Sequence, residues 1–265
     1  SKDFLQTDQG HVSGRMTATS YLDTPQGRKL AFHRVEGRGP CVVFLGGLKS
    51  DMMGTKAVFL EEWAVRTGHA FLRFDYSGHG ESSGLFTDGC IGDWAEDTRA
   101  AVTALTDGPI IPVGSSMGGW QALLLSRAMP DAIAGLVTIA AAPDFTEDGY
   151  WASFTDAQKR TLVDEGQVEL PSDYMEPYVI TRRMIEDGRK QLVLRDTLSL
   201  PFPTRFLQGT ADTAVSVATA VRLLEHAQGP DMQLQLVKDA DHRFSDDRCL
   251  SLLSDALNQV IALAT

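Results

Sequence analysis

At residues 110–120 the chain reads Ile110-Ile111-Pro112-Val113-Gly114-Ser115-Ser116-Met117-Gly118-Gly119-Trp120. The apolar start is typical of a buried strand and the end has a helical pattern, so this segment predicts a strand, a sharp turn and a helix. The turn contains Gly-x-Ser-x-Gly, in which a serine stands on a strained backbone between small neighbours. We therefore predict Ser116 as a nucleophile, with Ser115 as the lesser candidate. The alternative is a glycine- and serine-rich turn without catalysis.

Strand-like and helical patterns alternate on both sides of this segment. The strand-like runs are Lys29 to Val35, Cys41 to Leu45, Ala70 to Phe74, Ile110 to Val113, Gly135 to Ile139, Thr204 to Leu207 and Gln233 to Val237. The helical patterns are Thr55 to Arg66, Ile91 to Leu105, Gly118 to Ala128, Val217 to His226 and Cys249 to Ala264. This alternation predicts an α/β fold with a mostly parallel sheet and helices on both faces.

One interval, 144–198, interrupts the alternation. It has amphipathic helical stretches and no convincing buried strand, so we predict a helical cap inserted into a core of 17–143 and 199–265. Aromatic residues are concentrated in this cap, where they either pack it onto the core or line an acyl pocket. They are Phe145, Tyr150, Trp151, Phe154, Tyr174 and Tyr178. Residues 1–16 are polar and lack periodicity, which predicts a flexible extension.

Composition excludes several classes of protein. The chain has 265 residues, of which 43% are hydrophobic and 22% charged, values typical of a globular protein rather than a disordered one. A formal net charge of -11 disfavours nucleic acid as a partner. With neither a long apolar run nor a secretory signal, we expect a cytoplasmic protein without a membrane span. The three cysteines, Cys41, Cys90 and Cys249, are too few and too far apart for a disulfide framework or a zinc site.

A serine nucleophile needs a general base, and the base needs a carboxylate to orient it. We favour His242, in the loop after the last strand-like run, over His79, which lies in a glycine-rich turn after an earlier strand. For the carboxylate we favour Asp212, directly after the penultimate strand, with Asp144 as the alternative. The chain order Ser116, Asp212, His242 is the order that the hydrolase motif requires.

Two backbone amides are expected to bind the oxyanion of the reaction. One belongs to Met117 at the helix start, and the other to Leu48 in the glycine turn after a central strand, with Gly47 as the fallback. The candidate pocket residues are Gly47, Met52, Trp120 and Trp151; a methionine adapts to flexible apolar chains, which favours an acyl group. A cation for an acidic leaving group is sought among Lys49, Arg182, Arg183 and Arg243.

From about Thr17 to Ala264 the chain resembles the α/β-hydrolase superfamily. A narrower resemblance, to bacterial relatives of alpha/beta hydrolase domain-containing protein 10, is carried by Gly54-Thr55-Lys56-Ala57, Arg73-Phe74-Asp75-Tyr76-Ser77-Gly78, the segment 114–120 and Asp241-His242-Arg243. The resemblance implies a serine hydrolase with the triad Ser116, Asp212 and His242, acting on S-acyl thioesters or acyl glucuronides. Two departures leave cellular location and acyl specificity open: Gly46 replaces the usual His or Pro, and Ser216 stands where a proline often follows the acid motif.

The expected chemistry requires neither a metal nor an organic cofactor. The expected partner is a small-molecule or acylated-protein substrate, and the oligomeric state is left open. The same residues are compatible with a small-molecule carboxylesterase, a carbon–carbon bond hydrolase or a peptidase. From a different class, the fold can also serve as a ligand receptor with little turnover.

Overall fold

The computed structural model describes residues 18–172 and 176–264 and contains two sheets. Its strands are β1 Ser20–Asp23, β2 Lys29–Val35, β3 Arg38–Leu45, β4 His69–Phe74, β5 Ile110–Ser115, β6 Leu136–Ile139, β7 Gln167–Leu170, β8 Tyr178–Thr181, β9 Thr204–Gly209 and β10 Met232–Val237. Eight of them form the central sheet, in the order β1-β2-β4-β3-β5-β6-β9-β10. The β1/β2 and β2/β4 pairs are antiparallel and the other pairs are parallel, so the predicted mostly parallel sheet is confirmed.

Seven α-helices connect the strands of the described chain. They are α1 Thr55–Thr67, α2 Ile91–Leu105, α3 Met117–Ala128, α4 Asp156–Glu165, α5 Arg182–Gly188, α6 Val217–His226 and α7 Asp247–Ala264. The five helices predicted in the core all form, with ends within two residues of those expected. The predicted extension 1–16 lies outside the described residues.

Helices cover both faces of the central sheet. Successive residues of a strand point to opposite faces, so the side chains of one strand pack against both layers of helices. On β3, Val42 and Phe44 belong to one buried cluster, which contains side chains of α1 and α7. Val43 and Leu45 belong to a second buried cluster, which contains side chains of α2, α3 and α6. The central strands are therefore buried on both faces, which explains why their sequences are apolar throughout.

The segment between β6 and β9, which we call the inserted segment, contains a β-hairpin that the sequence did not predict. Besides a π-helical turn at Thr146–Trp151, α4 and α5, it forms an antiparallel hairpin of β7 and β8. Each strand of the hairpin is four residues long and has one buried residue, Val168 in β7 and Ile180 in β8. Such short, half-exposed strands carry too weak a pattern to be detected. Tyr174, one of the aromatic residues expected here, lies outside the described residues.

Asp144 joins the two ends of this segment. Its side chain is fully buried and accepts hydrogen bonds from the backbone N–H groups of Val193 at 2.8 Å and Leu194 at 3.0 Å. The guanidinium of Arg195 donates to the same carboxylate at 2.6 Å. Because Asp144 lies two residues before the π-helical turn, these bonds hold the end of the inserted segment against its beginning.

Three further features of the described chain bear on function. None of its helices combines the length and apolarity that a membrane span needs. Cys41, Cys90 and Cys249 are buried and free. Among the described residues, no cluster of three or more histidine, cysteine or acidic side chains has the arrangement of a metal site.

Candidate active site

Ser116 lies at the sharp turn between β5 and α3. Its backbone has φ 58° and ψ −118°, a strained conformation for a residue with a side chain. The turn is possible because Gly114 and Gly118 have no Cβ: a methyl group at Gly118 would overlap the carbonyl of Leu45, and one at Gly114 would overlap the carbonyl of Gly118. The glycines therefore let the strand, the helix and the neighbouring strand approach closely around Ser116.

The strained backbone of Ser116 is held by hydrogen bonds to the next strand. Its N–H donates to the carbonyl of Ile139 at 2.9 Å, and its carbonyl accepts from Gly119 at 2.9 Å and from Ala142 at 3.0 Å. These bonds fix the turn at the carboxyl edge of the sheet. The hydroxyl is thus presented from a rigid support, as a reactive group requires.

The imidazole of His242 connects Ser116 to Asp212. Nε2 of His242 lies 3.1 Å from Oγ of Ser116, and Nδ1 lies 2.8 Å from Oδ2 of Asp212. An ionised carboxylate can only accept, so Nδ1 carries the proton and Nε2 is free to accept the serine proton. The Asp212 side chain is fully buried, whereas about a third of the His242 side chain (32%) is exposed. The side chains predicted from the sequence to act together therefore lie together.

The Asp212 carboxylate is oriented by several donors. Oδ1 accepts the backbone N–H groups of Ala214 and Val215, both at 2.8 Å. Oδ2 accepts the N–H of His242 and the side-chain amide of Gln208, the latter at 3.3 Å. Burial alone would raise the pKa of Asp212, but the hydrogen bonds from His242 and the two backbone amides outweigh it, so the pKa is lowered.

Gln208 is a polar residue of this site that the sequence analysis missed. It is buried within β9, and its Nε2 lies near the Asp212 carboxylate, the carbonyl of Val215 at 3.0 Å and the carbonyl of Gly209 at 3.2 Å. All three partners are acceptors, so the amide nitrogen must face them. The available signal was a glutamine in an apolar strand, four residues before the predicted acid.

The glycine turn after β3 lies beside Ser116. A Cβ at Gly47 would be 3.6 Å from Cβ of Ser116, which shows how closely the turn passes. The amide of Met117, at the first position of α3, has no intrahelical acceptor. Among the described residues, none of the amides of Met117, Leu48 and Gly47 donates to a protein acceptor. The oxyanion roles of Met117 and Leu48, with Gly47 as fallback, stay predictions that this geometry allows.

The turn is held from β4 and the loop that follows it. The hydroxyl of Tyr76 donates to the carbonyl of Gly46 at 3.0 Å. Met52 is held at both ends of its backbone: its N–H donates to Asp75 at 2.7 Å, and its carbonyl accepts from Arg73 at 2.6 Å. Burial raises the pKa of Asp75, opposed by the hydrogen bonds from backbone N–H groups, including that of Met52. These contacts restrain the turn that is expected to bind the oxyanion.

Met52 and Trp120, two of the candidate pocket residues, are buried. The indole N–H of Trp120 donates to the carbonyl of Gln191 at 3.0 Å, and its ring meets Phe145 edge to face at 5.4 Å. Trp120 therefore packs the inserted segment onto α3. A role for either residue in lining an acyl pocket stays a prediction.

Trp151, the pocket candidate in the inserted segment, is half-buried and contacts two cations. Nζ of Lys159 lies 4.9 Å from the centre of its ring, and the guanidinium of Arg189 lies 4.7 Å from it. Its ring also contacts Phe154. Trp151 therefore packs against two cations and one aromatic ring, and its role in lining an acyl pocket stays a prediction.

The cations sought for an acidic leaving group have different environments. Arg182 and Arg183 form ion pairs, with Glu186 and Asp93 respectively. Lys49, next to Leu48 in the oxyanion turn, instead lies over the rings of Phe86 at 5.1 Å and Tyr178 at 5.4 Å. Of these cations, Lys49 is the one adjacent to the expected oxyanion turn.

His79, the other histidine that follows a strand, is enclosed by aromatic rings. It packs edge to face against Tyr76, Phe86 and Trp94, and its Nδ1 hydrogen-bonds the carbonyl of Ser77 at 3.0 Å. Burial lowers the pKa of His79. Its environment is that of a neutral packing residue beneath the site.

Comparison with known proteins identifies the family. Residues 42–256 match the model of the alpha/beta hydrolase family. The chain belongs to this family. The mitochondrial palmitoyl-protein thioesterase ABHD10 of Rattus norvegicus is 32% identical over 247 residues, which cover 92% of this chain and 83% of the relative. The human protein is 31% identical, and the match covers 92% of this chain and 80% of the human protein.

Two solved structures agree with this assignment. A protein from Agrobacterium vitis S4 is 36% identical with a TM-score of 0.89, covering 92% of this chain and 98% of that protein. Mouse alpha/beta hydrolase domain-containing protein 10 is 30% identical with a TM-score of 0.86, and the match covers 94% of this chain and 100% of the mouse protein. The resemblance predicted from the motifs is confirmed, and the chain is a hydrolase of carboxylic esters or thioesters.

Proposed function

We propose that this alpha/beta hydrolase cleaves acyl esters or thioesters through an acyl-enzyme on Ser116. His242 is the general base and acid, and Asp212 orients it. The observation that carries the proposal is the continuous chain of hydrogen bonds from Ser116 through His242 to Asp212, at 3.1 Å and 2.8 Å. These distances are within reach for proton transfer.

The reaction has two halves. Oγ of Ser116 attacks the acyl carbonyl while its proton moves to Nε2 of His242, and the amides of Met117 and Leu48 stabilise the oxyanion. When the tetrahedral species collapses, the bond to the leaving group breaks and His242 gives the proton to the departing alcohol or thiol. Water then attacks the acyl-enzyme while its proton moves to the same imidazole. When this second tetrahedral species collapses, His242 returns the proton to Oγ of Ser116 and the carboxylic acid is released.

S-acyl thioesters are the proposed substrates. Relatives at 32% identity are palmitoyl-protein thioesterases, and this chain matches 83% of the length of the one from Rattus norvegicus. The rings of Phe145, Tyr150 and Phe154 pack in a row in the segment between β6 and β9. We propose that the half-buried side chains of this row contact the acyl chain. Carboxylic esters and acyl glucuronides would follow the same two steps, because they differ only in the leaving group.

Labelling with a fluorophosphonate tests the nucleophile. The wild type is expected to label, Ser116→Ala is expected to lose the label while keeping its fold by circular dichroism, and Ser115→Ala is the matched control that keeps it. Labelling of Ser116→Ala would contradict the assignment. A wild type that does not label would instead favour a ligand receptor with little turnover.

A hydrolysis panel tests the substrate class. It pairs esters and thioesters with the same acyl group, from acetyl to palmitoyl, and includes an acyl glucuronide and a carbon–carbon bond substrate. If S-acyl thioesters are the substrates, we expect a higher kcat/KM for long-chain thioesters than for the matched esters. A preference for short esters would favour the small-molecule carboxylesterase, and cleavage of the carbon–carbon substrate alone would contradict acyl transfer from oxygen or sulfur.

A further inference from the structure

Lys56 joins α1 to the loop that carries His242. It is the second residue of α1, and its ammonium donates to the carbonyl of Arg243, which is 187 residues further along the chain. It also lies 3.3 Å from the hydroxyl of Ser245. Arg243 directly follows His242, so the contact holds the peptide next to the imidazole that faces Ser116.

The position of Lys56 is unfavourable for a cation. The amino end of a helix carries partial positive charge, and the first turn of α1 has no acidic residue. Lys56 forms no ion pair with any described residue. The charged groups that act on it are Asp241 and Arg243, and Cys249 faces it from α7. Burial is the largest effect and lowers the pKa of Lys56 to about 8, so the protonated amine is destabilised in the folded protein.

The loop that Lys56 holds is strained. Phe244 has φ 51°, an unfavourable conformation for a residue with a large side chain, and its ring is fully buried. Its N–H donates to the carboxylate of Asp241 at 3.1 Å. The peptide between Arg243 and Phe244 is therefore fixed by the buried ring on one side and by Lys56 on the other. Strained backbone persists where the surrounding contacts determine it, and such places cluster at functional sites.

We propose that Lys56 is a positioning residue for His242: by holding the Arg243 carbonyl and the Ser245 hydroxyl, it sets the imidazole at the distance from Ser116 that proton transfer requires. The inference rests on the proposed function, because it assigns His242 as the base. A displacement of about 1 Å in a catalytic group can lower the rate on the order of a hundredfold. Lys56 is thus expected to support kcat while costing stability.

This combination separates positioning from a purely structural role. Lys56→Met keeps the length of the side chain and removes its charge and donors. We expect kcat on an acyl thioester to fall by about 10- to 100-fold with little change in KM, and fluorophosphonate labelling to slow by a similar factor. The melting temperature is expected to be unchanged or higher, because an unfavourably placed charge has been removed. A residue with only a structural role would lower the melting temperature instead.

Two further variants and a pH profile complete the test. Lys56→Arg keeps a cationic donor and is expected to recover part of the lost kcat. Lys238→Met is the matched control: Lys238 is exposed and lies four residues before His242, and its loss is expected to leave kcat unchanged. The wild type is expected to lose activity above about pH 8, where Lys56 loses its proton, and Lys56→Met is expected to lack this decline. Cys249 does not titrate in this range, because burial raises its pKa to about 11.

The outcomes distinguish this inference from the proposed function. If the wild type hydrolyses thioesters and Lys56→Met does so equally fast, the positioning role is wrong and the triad is untouched. Equal losses of kcat in Lys56→Met and Lys238→Met, or a lower melting temperature that accounts for the lost activity, would also overturn it. If the wild type neither labels nor hydrolyses any acyl compound, the proposed function fails, and the role of Lys56 fails with it.

Discussion

Asp144 and Asp212 follow neighbouring strands of the sheet, β6 and β9, but their carboxylates have different partners. Asp212 accepts the N–H of His242 at 2.8 Å. Asp144 accepts the backbone N–H groups of Val193 and Leu194 and binds Arg195. The two acids are therefore expected to differ in function, one orienting the base and the other holding the inserted segment.

Substituting each acid by its amide separates the two roles. Asp212→Asn is expected to lower kcat by roughly 10⁴-fold with little loss of stability, because the amide favours the wrong tautomer of His242. Asp144→Asn is expected to lower the free energy of unfolding by about 2 kcal/mol, because a neutral amide replaces a buried charged acceptor, and to keep kcat within tenfold. Steady-state kinetics and urea unfolding of both variants measure this. A nearly silent Asp212→Asn together with an inactive Asp144→Asn would show that the acid has been assigned to the wrong residue.

The contact between Gln208 and Asp212 gives a prediction about pH. Gln208→Glu removes a donor and places a second carboxylate beside the first, which favours the protonated imidazole of His242. The acidic limb of kcat/KM is therefore expected to move to higher pH by about one unit. Gln208→Met adds no charge and is expected to lower kcat without moving the limb.

The control for this pH shift is Gln235→Glu, on the adjacent strand β10. Gln235 is exposed and lies opposite Leu207 in the strand register. The same change in net charge is introduced there, outside the site. A shift of equal size in Gln208→Glu and Gln235→Glu would mean that the effect comes from overall charge, and the role given to Gln208 would be wrong.

Much of the architecture could be predicted because its signals are local. The helices Ile91–Leu105 and Val217–His226 begin and end at the predicted residues, since their apolar residues recur with helical spacing. The proximity of Ser116, Asp212 and His242 also follows from sequence, because each comes after a parallel strand and the carboxyl ends of such strands share one edge of the sheet. Their positions shortly after these strands were enough to bring them to the same edge.

Other features depend on contacts between distant segments and had no local signal. In the sequence, nothing distinguishes Lys56 from other lysines near the start of a helix. The contact with the Arg243 carbonyl arises only in the folded chain. The hairpin Gln167–Leu170 and Tyr178–Thr181 is short and half exposed, so its alternation could not be separated from that of the flanking helices. The same holds for Gln208, whose partners are set by the turn after β9.

Asp148, in the π-helical turn, gives a prediction about acid stability. It binds Arg195 and Arg222, and these guanidinium groups lower its pKa, against the opposing effect of burial. A lowered pKa in the folded state means that the ionised group contributes stability above its unfolded value of about 3.9, and that this is lost as pH falls through the folded value. Asp148→Asn is therefore expected to be less stable than the wild type by about 1 kcal/mol or less at pH 7, because the group is partly exposed.

Urea unfolding at pH 7 and at about pH 2.5 measures this difference. At the lower pH the difference between wild type and Asp148→Asn is expected to shrink, because the pH approaches the lowered pKa of the folded state, and about 1 M salt at pH 7 is expected to reduce it by screening. Asp131→Asn is the control, since Asp131 is exposed and forms no ion pair with any described residue. A difference that persists unchanged at low pH would show that the carboxylate charge is not its origin.

Gly118 gives the sharpest prediction about the fold around the nucleophile. A Cβ at this position would overlap the carbonyl of Leu45, which belongs to the backbone of a central strand and cannot move aside. Gly118→Ala is therefore expected to lower the free energy of unfolding by roughly 3 kcal/mol or more, at the upper end of overpacking effects. Gly149→Ala is the matched control, because a Cβ there would be in ordinary contact, 3.6 Å from Cβ of Phe145, and its effect should be below about 1 kcal/mol. If both variants unfold at the same urea concentration as the wild type, the close approach of α3 to β3 is wrong, and with it the strained turn that presents Ser116.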